Sequence, residues 1–461
     1  GAERDALSPV SLLSVACTSC LSLIVQHGAC VGWYFAPPPA ICGAGLSLFW
    51  FFCEETFVFF NRLFGLLFSQ SPSLVPLFFL FTRYPSTLLD AMSEKVTVLG
   101  VGRLGLCLAL VMERAGYDVL GVDVFPGYVD SLNSKTFRSN EPRVNEFLDA
   151  STKFRATTSL EEGLAHSDFL YVMVATPSGG GEKFYDHSHL NNLLERINSF
   201  RVENKHVIIG CTIMPGYIHN IATEILRDCT NVSITYNPEF IAQGDIIKGL
   251  LQPDMVLIGE GSNSIGEHLE EHYKRMTENE PTICRMSAES AEICKLATNC
   301  FITMKISYAN QIGDIADRTP NANKFDILRA VGADSRVGQK CILPGYGFGG
   351  PCFPRDNRAL GLYAKSVGIN PMLMTATDEY NFYHADRMAD ELLQEGKEEY
   401  VIEDVAYKPR CPVPIVEESQ PLAVAARLVK AGKKVLIRDR RIIVDAARKE
   451  WGKIFRYEYT D

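Results

Sequence analysis

The chain is as informative in what it withholds as in what it carries. Its formal net charge is −10 over 461 residues, and it has no Lys/Arg-rich block, which excludes a nucleic-acid partner. After Met92 it has nine scattered cysteines but no C-x-x-C pair, so neither a zinc site nor a redox dithiol is indicated. Cys17 and Cys20 form one such pair, but it lies alone in an apolar run. Scattered free thiols fit a reducing cytosol, and a cytoplasmic location is expected. His187 and His189, in Asp186-His187-Ser188-His189, lack a third ligand, so a surface loop is favoured over a metal site. No metal is expected. No repeats or low-complexity tracts follow residue 91.

Charge is also missing locally. Between Ala6 and Cys53 there is no Asp, Glu, Lys or Arg, and residues 1–91 hold 12 of the 26 Phe. The run Val10 to Phe35 is long and apolar enough to span a bilayer. Ile41 to Cys53 and Thr56 to Phe68 are shorter and suit interfacial segments. A secretory signal fits poorly, because the apolar stretch is too long and has no basic start. Residues 1–91 therefore read as an apolar leader outside the enzyme fold, with a membrane anchor as the competing reading. Met92 stands four residues before the first clear strand.

Beyond Met92 the composition is that of a globular enzyme, and the length suggests several domains. Val96–Leu99 and Asp118–Val122 read as strands around a helix from Leu106 to Ala115. Further strands are expected at Phe169–Val174, His206–Ile209, Val232–Tyr236 and Met255–Ile258, with helices such as Leu190–Phe200 and Ile218–Leu226 between them. Such alternation predicts an α/β fold with a doubly wound, mostly parallel sheet over residues 92–286. Ser287–Arg318 predicts one long helix, the spine of a helical region 287–395 and a candidate dimer surface. Strands at Tyr400–Ala406 and Lys434–Arg438 around a helix Pro421–Ala431 predict a second, short Rossmann-like unit over 396–461.

The first βαβ unit carries Gly100-Val101-Gly102-Arg103-Leu104-Gly105, a G-x-G-x-x-G between strand and helix, with Asp123 18 residues beyond Gly105 at the end of the next strand. Gly100 permits the turn, Gly102 admits the pyrophosphate and Gly105 allows close packing, while the helix N-terminus stabilises the diphosphate. Asp123 would bind the ribose hydroxyls and repel a 2′-phosphate, which makes the expected cofactor NAD rather than NADP.

A second glycine-rich loop is Pro344-Gly345-Tyr346-Gly347-Phe348-Gly349-Gly350-Pro351-Cys352-Phe353-Pro354-Arg355-Asp356. Four glycines within six residues let backbone N–H groups converge on a ligand. A thiol and a carboxylate then follow one helical turn apart, as a nucleophile and a proton acceptor would. A lone loop cysteine is more often structural, so this pattern alone leaves both readings open.

Together with Ala175-Thr176-Pro177, Cys211-Thr212-Ile213-Met214-Pro215-Gly216, Tyr236-Asn237-Pro238-Glu239-Phe240 and Ala291-Glu292-Ile293-Cys294-Lys295-Leu296-Ala297-Thr298-Asn299, the two loops resemble the UDP-glucose/GDP-mannose dehydrogenase family from Val96 to about Ile437. The resemblance implies that Cys352 is the nucleophile and that Lys295 and Asn299 steady the developing alkoxide and anchor the sugar. It makes Glu239 and Asp356 the acid–base and water-positioning carboxylates. Thr212 would serve the cofactor and the catalytic water. Val101, Thr176, Gln243 and Arg355 join Gly100, Gly102, Gly105 and Asp123 as cofactor contacts. Phe240, Gly345, Tyr346, Gly349 and Lys408 join the substrate side, and Arg336 would reach the substrate of a neighbouring subunit. The implied reaction is a four-electron oxidation of a nucleotide sugar, UDP-glucose to UDP-glucuronate, with two NAD per sugar, in a homodimer or higher homo-oligomer. A thiolate stabilised by Lys295 is expected at Cys352.

Departures from the family pattern bear on the C-terminal unit. Ile402-Glu403-Asp404-Val405 replaces a small, glycine-containing strand end, Glu417 stands where an arginine is common, and Tyr128 where a lysine is. GDP-mannose oxidation, an inactive NAD-binding homologue and a two-electron hydroxyacid dehydrogenase are the competing readings.

Overall fold

The computed structural model describes residues 94–178 and 185–461, all within the compact unit Ser86–Asp461. The leader expected over 1–91 lies outside the described residues. Among the described residues no helix is long and apolar enough to cross a membrane.

Eight strands form the larger sheet: β1 (Lys95–Leu99), β2 (Asp118–Val122), β3 (Phe154–Thr157), β4 (Phe169–Val172), β5 (His206–Ile209), β6 (Ser233–Tyr236), β7 (Met255–Gly259) and β8 (Thr282–Met286). Their order is β3-β2-β1-β4-β5-β6-β7-β8. All neighbours are parallel except β6 and β7, which meet through Tyr236 and Gly259. Alternate side chains feed two cores, as the pleat requires. Val96 and Val98 face the helices α1 (Arg103–Arg114), α2 (Ile246–Leu251) and α3 (Asn263–Met276) through Leu110, Leu250 and Leu269. Leu99, Val172 and Ile209 face the opposite layer through Leu164, Leu194 and Ala291. Chain order reverses between β1 and β4, so the loops after these strands open a crevice at the carboxyl edge.

The strands expected from sequence all form, with ends shifted by a few residues. Two more, β3 and β8, add the sheet edges. The stretch expected as helix at Ile218–Leu226 begins as a π-helical turn, Ile218–Ala222, before Thr223–Ile225.

The spine is α4 (Ala288–Asp317), 30 residues long. At 1.5 Å per residue it spans about 45 Å. The Ser287 side chain caps it by accepting from Ser290 N, and Thr319-Pro320 follows its end. Its inward face is small and apolar at Ala291, Leu296 and Cys300, yet it also buries Glu292, Lys295, Asn299, Thr303 and Asn310. Against it pack α5 (Phe353–Ser366) and α6 (Met372–Gln394).

The C-terminal sheet has three strands, β9 (Glu399–Glu403), β10 (Lys434–Asp439) and β11 (Arg456–Tyr459), all parallel. They lie in chain order, joined by α7 (Gln420–Lys430) and α8 (Arg441–Trp451). Two crossovers in one direction place both helices on one face of the sheet. That face buries Ile402, Val435 and Ile437 against Leu422, Leu428 and Ala447. The other face carries Glu399, Glu403 and Glu458, bridged by Arg456 and Arg438.

Candidate active site

Two sets of residues meet the carboxyl edge of the larger sheet. The first is the turn after β1. Gly100 sits at φ +93°, and a Cβ there would lie 2.9 Å from Met173 O. A Cβ at Gly105 would collide with Gly100 O, so the protein itself requires both glycines. Gly102 is different: nothing lies within 4 Å of where its Cβ would be. It is also the N-cap of α1, with no side-chain cap and no acidic residue in the first turn. Uncapped N–H groups below open space make a cradle for an anion, and this fits the diphosphate of a dinucleotide. Asp123 follows β2 at the same edge, its Oδ1 accepting from Phe125 N at 3.4 Å. Thr176 follows β4 and is buried, its carbonyl accepting from Arg355 Nη1 at 3.1 Å.

The second set is built on α4 and α5. Cys352 is the N-cap of α5, and its carbonyl accepts from Asp356 N at 2.8 Å. The thiol and the Asp356 carboxylate therefore lie on the same turn. Asp356 is fully buried and held from several sides. Asn299 Nδ2 donates to Oδ2 at 2.7 Å, the Tyr185 hydroxyl donates to Oδ1, and Arg355 Nε approaches Oδ1 at 3.4 Å. The Arg355 guanidinium also stacks on the Tyr185 ring at 4.6 Å. One turn before Asn299, the buried Lys295 ammonium donates to Glu239 O and lies 4.7 Å from the centre of the Phe240 ring.

The sequence-derived residues converge unevenly. Cys352, Asp356, Asn299, Arg355 and Thr176 are linked directly. Lys295 joins through charge, since its field and that of Glu239 both reach the Cys352 thiol. The Glu239 carboxylate accepts from Ile241 N and so is tied to its own loop. Thr212 lies in the loop after β5, which buried Glu292 pins by accepting from Gly216 N and Ile218 N. Gln243 accepts from Arg103 Nη1 at 2.5 Å and, through its carbonyl, from the Tyr407 hydroxyl at 2.9 Å. Lys408 is half-buried, its ammonium 5.7 Å from the centre of the Tyr407 ring. Arg336 stands apart: its side chain is 87% exposed and pairs with Asp334.

The expectation of a stabilised thiolate is corrected. Burial pushes the Cys352 thiol up to about 11, and Asp356 adds to the rise. Arg355 and Lys295 pull the other way but are outweighed. Lys295 has the anticipated sign; the sequence reading left out desolvation and the neighbouring carboxylate.

The cysteine loop is shaped from outside. Asn310, on α4, accepts from Gly345 N and donates to Tyr346 O. Asn381, on α6, accepts from Phe348 N and donates to Phe348 O, both at 2.9 Å. His384 Nε2 bonds Gly345 O at 2.8 Å. Gly350, at φ +85°, donates its N–H to Glu417 O, and a Cβ there would strike the Tyr407 ring. A Cβ at Gly349 would strike Glu418 O. Sequence reasoning missed Tyr185, Glu292, Asn310 and Asn381. For Glu292 and Asn310 a signal existed, because polar residues at 292, 295, 299, 303, 307 and 310 share the inward face of a helix whose other inward positions are small or apolar. Tyr185 and Asn381 left no such trace.

Comparison with known proteins agrees with this geometry. The NAD-binding domain of the UDP-glucose/GDP-mannose dehydrogenase family matches residues 94–277, and the central domain of the same family matches residues 289–383. A UDP-glucose 6-dehydrogenase of Haloferax volcanii is 28% identical over 360 residues, covering 74% of this chain and 82% of that protein. A GDP-mannose 6-dehydrogenase of Pseudomonas putida is 26% identical over 363 residues, covering 76% and 81%. The structure of a UDP-glucose dehydrogenase from the archaeon Pyrobaculum islandicum superposes with a TM-score of 0.72 at 27% identity, covering 80% of this chain and 86% of that one.

Proposed function

The chain belongs to the UDP-glucose/GDP-mannose dehydrogenase family, an NAD-binding family of nucleotide-sugar dehydrogenases, and from that premise we propose that it oxidises UDP-glucose to UDP-glucuronate through a covalent intermediate on Cys352. The observation that carries this reading is the meeting of half-buried Cys352 with the buried Asp356, Asn299 and Lys295. A two-electron alcohol dehydrogenase needs no thiol at that point. A four-electron one does, because an aldehyde cannot surrender a hydride until a nucleophile has added to it.

NAD, when bound, accepts one hydride from the sugar in each of two rounds. The rest falls to the chain. The alcohol becomes the aldehyde by losing a hydride to NAD and its hydroxyl proton to the Glu239 carboxylate, while the Lys295 ammonium stabilises the oxygen as charge develops on it, a contribution of roughly 3–4 kcal/mol for such groups. Cys352 then forms an S–C bond to the aldehyde carbon. Its raised pKa means the proton must leave as the bond forms, and Asp356 receives it. The thiohemiacetal loses the second hydride and becomes a thioester. Water, positioned by Thr212 and Glu239, hydrolyses it to the carboxylate and the free thiol. Asn299 and Phe240 hold the sugar, Gly345, Tyr346 and Gly349 wrap it, and Lys408 reaches it from the C-terminal unit. Asp123 selects NAD over NADP, with Gln243 and Val101 lining the same cofactor groove.

The outward face of α4 exposes Ile293, Phe301, Tyr308 and Ile315 at spacings of seven or eight residues. This apolar stripe supports a homodimer through the central helix, which would bring Arg336 to a neighbouring site. The nine free cysteines of the described residues suit a reducing cytoplasm.

The test is turnover on UDP-glucose, GDP-mannose and N-acetylated UDP-sugars with NAD. UDP-glucose should have the highest kcat/KM. Turnover confined to GDP-mannose or to an N-acetylated sugar would overturn the substrate.

A further inference from the structure

We propose that Arg103, the first residue of α1, is a swinging cation that leaves Gln243 to pair with the cofactor diphosphate. The proposal rests on NAD binding by this family and is independent of the sugar.

A dinucleotide brings two negative charges to a chain whose own formal charge is −10. The helix N-terminus supplies only about half an elementary charge, so a nearby side-chain cation is called for. Arg355 is committed: it bonds Asp356 and Thr176 O and stacks on Tyr185. Lys295 is committed to Glu239 O and the Phe240 ring. Arg103 is not. It is exposed, its guanidinium bonds a neutral amide, Gln243 Oε1, and among the described residues no carboxylate lies within ion-pair distance of it.

Its place on the helix matters as much as its charge. Cα–Cβ bonds tilt toward the helix N-terminus, so a side chain at the first position projects toward the space that Gly102 leaves open. Arg103 also lines a cavity of about 200 Å³ with Leu106, Tyr128, Glu141 and Pro414, which gives the side chain room to move. A diphosphate offers the guanidinium an opposite charge and a bidentate pair of oxygens, neither of which the neutral Gln243 amide supplies, so a diphosphate outcompetes it.

The release need not disturb the loop. Gln243 keeps its carbonyl bond from Tyr407, and the next turn is pinned by buried Glu141, which accepts from Gly244 N and Ile246 N. The movement is therefore confined to side chains.

The experiment is equilibrium binding to the full chain by calorimetry, using NAD, ADP-ribose and adenosine as probes. Arg103→Gln should weaken NAD and ADP-ribose about tenfold, equivalent to about 1.4 kcal/mol, and leave adenosine within twofold of wild type. Arg103→Lys should recover part of the loss, and the salt dependence of NAD affinity should be shallower in Arg103→Gln than in wild type. Should the Gln variant fail to fold, the charge-removing Arg103→Met with the same salt series decides: an NAD affinity and salt slope unchanged from wild type would overturn the proposal. So would NAD affinity within twofold of wild type in Arg103→Gln, or an equal loss for adenosine, which would make Arg103 a structural residue. A wild-type chain that binds no NAD would instead overturn the cofactor assignment itself.

Discussion

The molecule has two glycine-rich loops, and they are glycine-rich for different reasons. In the turn after β1, Gly100 and Gly105 answer to each other and to Met173, all within the Rossmann unit, and Gly102 answers to nothing in the protein. In the loop before Cys352, Gly347 answers to Asn381 on α6, and Gly349 and Gly350 answer to Glu418 and Tyr407 of the C-terminal segment. The first loop is a local device whose shape is set within the Rossmann unit. The second is a keystone whose shape is set by elements that come together only in the finished fold. Cofactor binding should therefore survive damage that abolishes chemistry, and the two should separate on mutation.

The largest separation is expected from Cys352→Ser. A hydroxyl is a far weaker nucleophile than a thiol at neutral pH. Removing a nucleophile in other enzymes costs up to ~10⁶ in kcat, and here turnover should fall by about 10³-fold or more with NAD affinity unchanged. Near-normal turnover would remove the thiol from the reaction. Next comes Gly350→Ala. The new methyl strikes Tyr407 at a backbone angle that L-residues avoid, and a displacement of an ångström at a reacting group costs on the order of 10²-fold. Turnover should fall by that amount while calorimetry finds NAD binding within twofold. Equal losses in both would mean that the loops are not independent.

Asp123→Ala probes the other loop. NAD affinity should fall about tenfold and discrimination against NADP should relax, because the carboxylate that repels the 2′-phosphate is gone. Unchanged affinity for both cofactors would place the ribose elsewhere. A pH series sharpens the keystone view. With the Cys352 thiol held up to about 11, only the rare thiolate reacts near neutrality. Inactivation by iodoacetamide should rise about tenfold per pH unit to pH 9 without levelling, and sugar should protect. A plateau near the ordinary thiol value would contradict the burial. The smallest effect is expected from deleting residues 1–91, which should leave a soluble chain with unaltered NAD affinity; failure to fold would make the leader part of the core.

The same contrast explains how much could be read from sequence. The β1 turn was legible because its pattern is short and each glycine has a local reason. The strands β2 and β5 and the long helix were legible because apolar period and capping agree. The edge strands β3 and β8 were not: Phe154-Arg155-Ala156-Thr157 and Thr282-Ile283-Cys284-Arg285-Met286 are half-exposed and lack clean alternation. At the site, Cys352, Asp356, Lys295 and Asn299 were found through resemblance and motif spacing. The clamps were not, because Tyr185 reaches Asp356 across 171 positions and Asn381 reaches Phe348 from another helix. The thiol was misjudged for the same reason. Its pKa is set by burial, which one sequence does not display.

The most direct test of the four-electron reaction is one count, the NADH formed per UDP-glucose consumed under single-turnover conditions with excess NAD. A covalent thiohemiacetal on Cys352, oxidised to a thioester and hydrolysed, gives two NADH for each sugar and releases UDP-glucuronate. One NADH per sugar, with free aldehyde as the product, would contradict the four-electron reaction and leave Cys352 a packed, silent thiol.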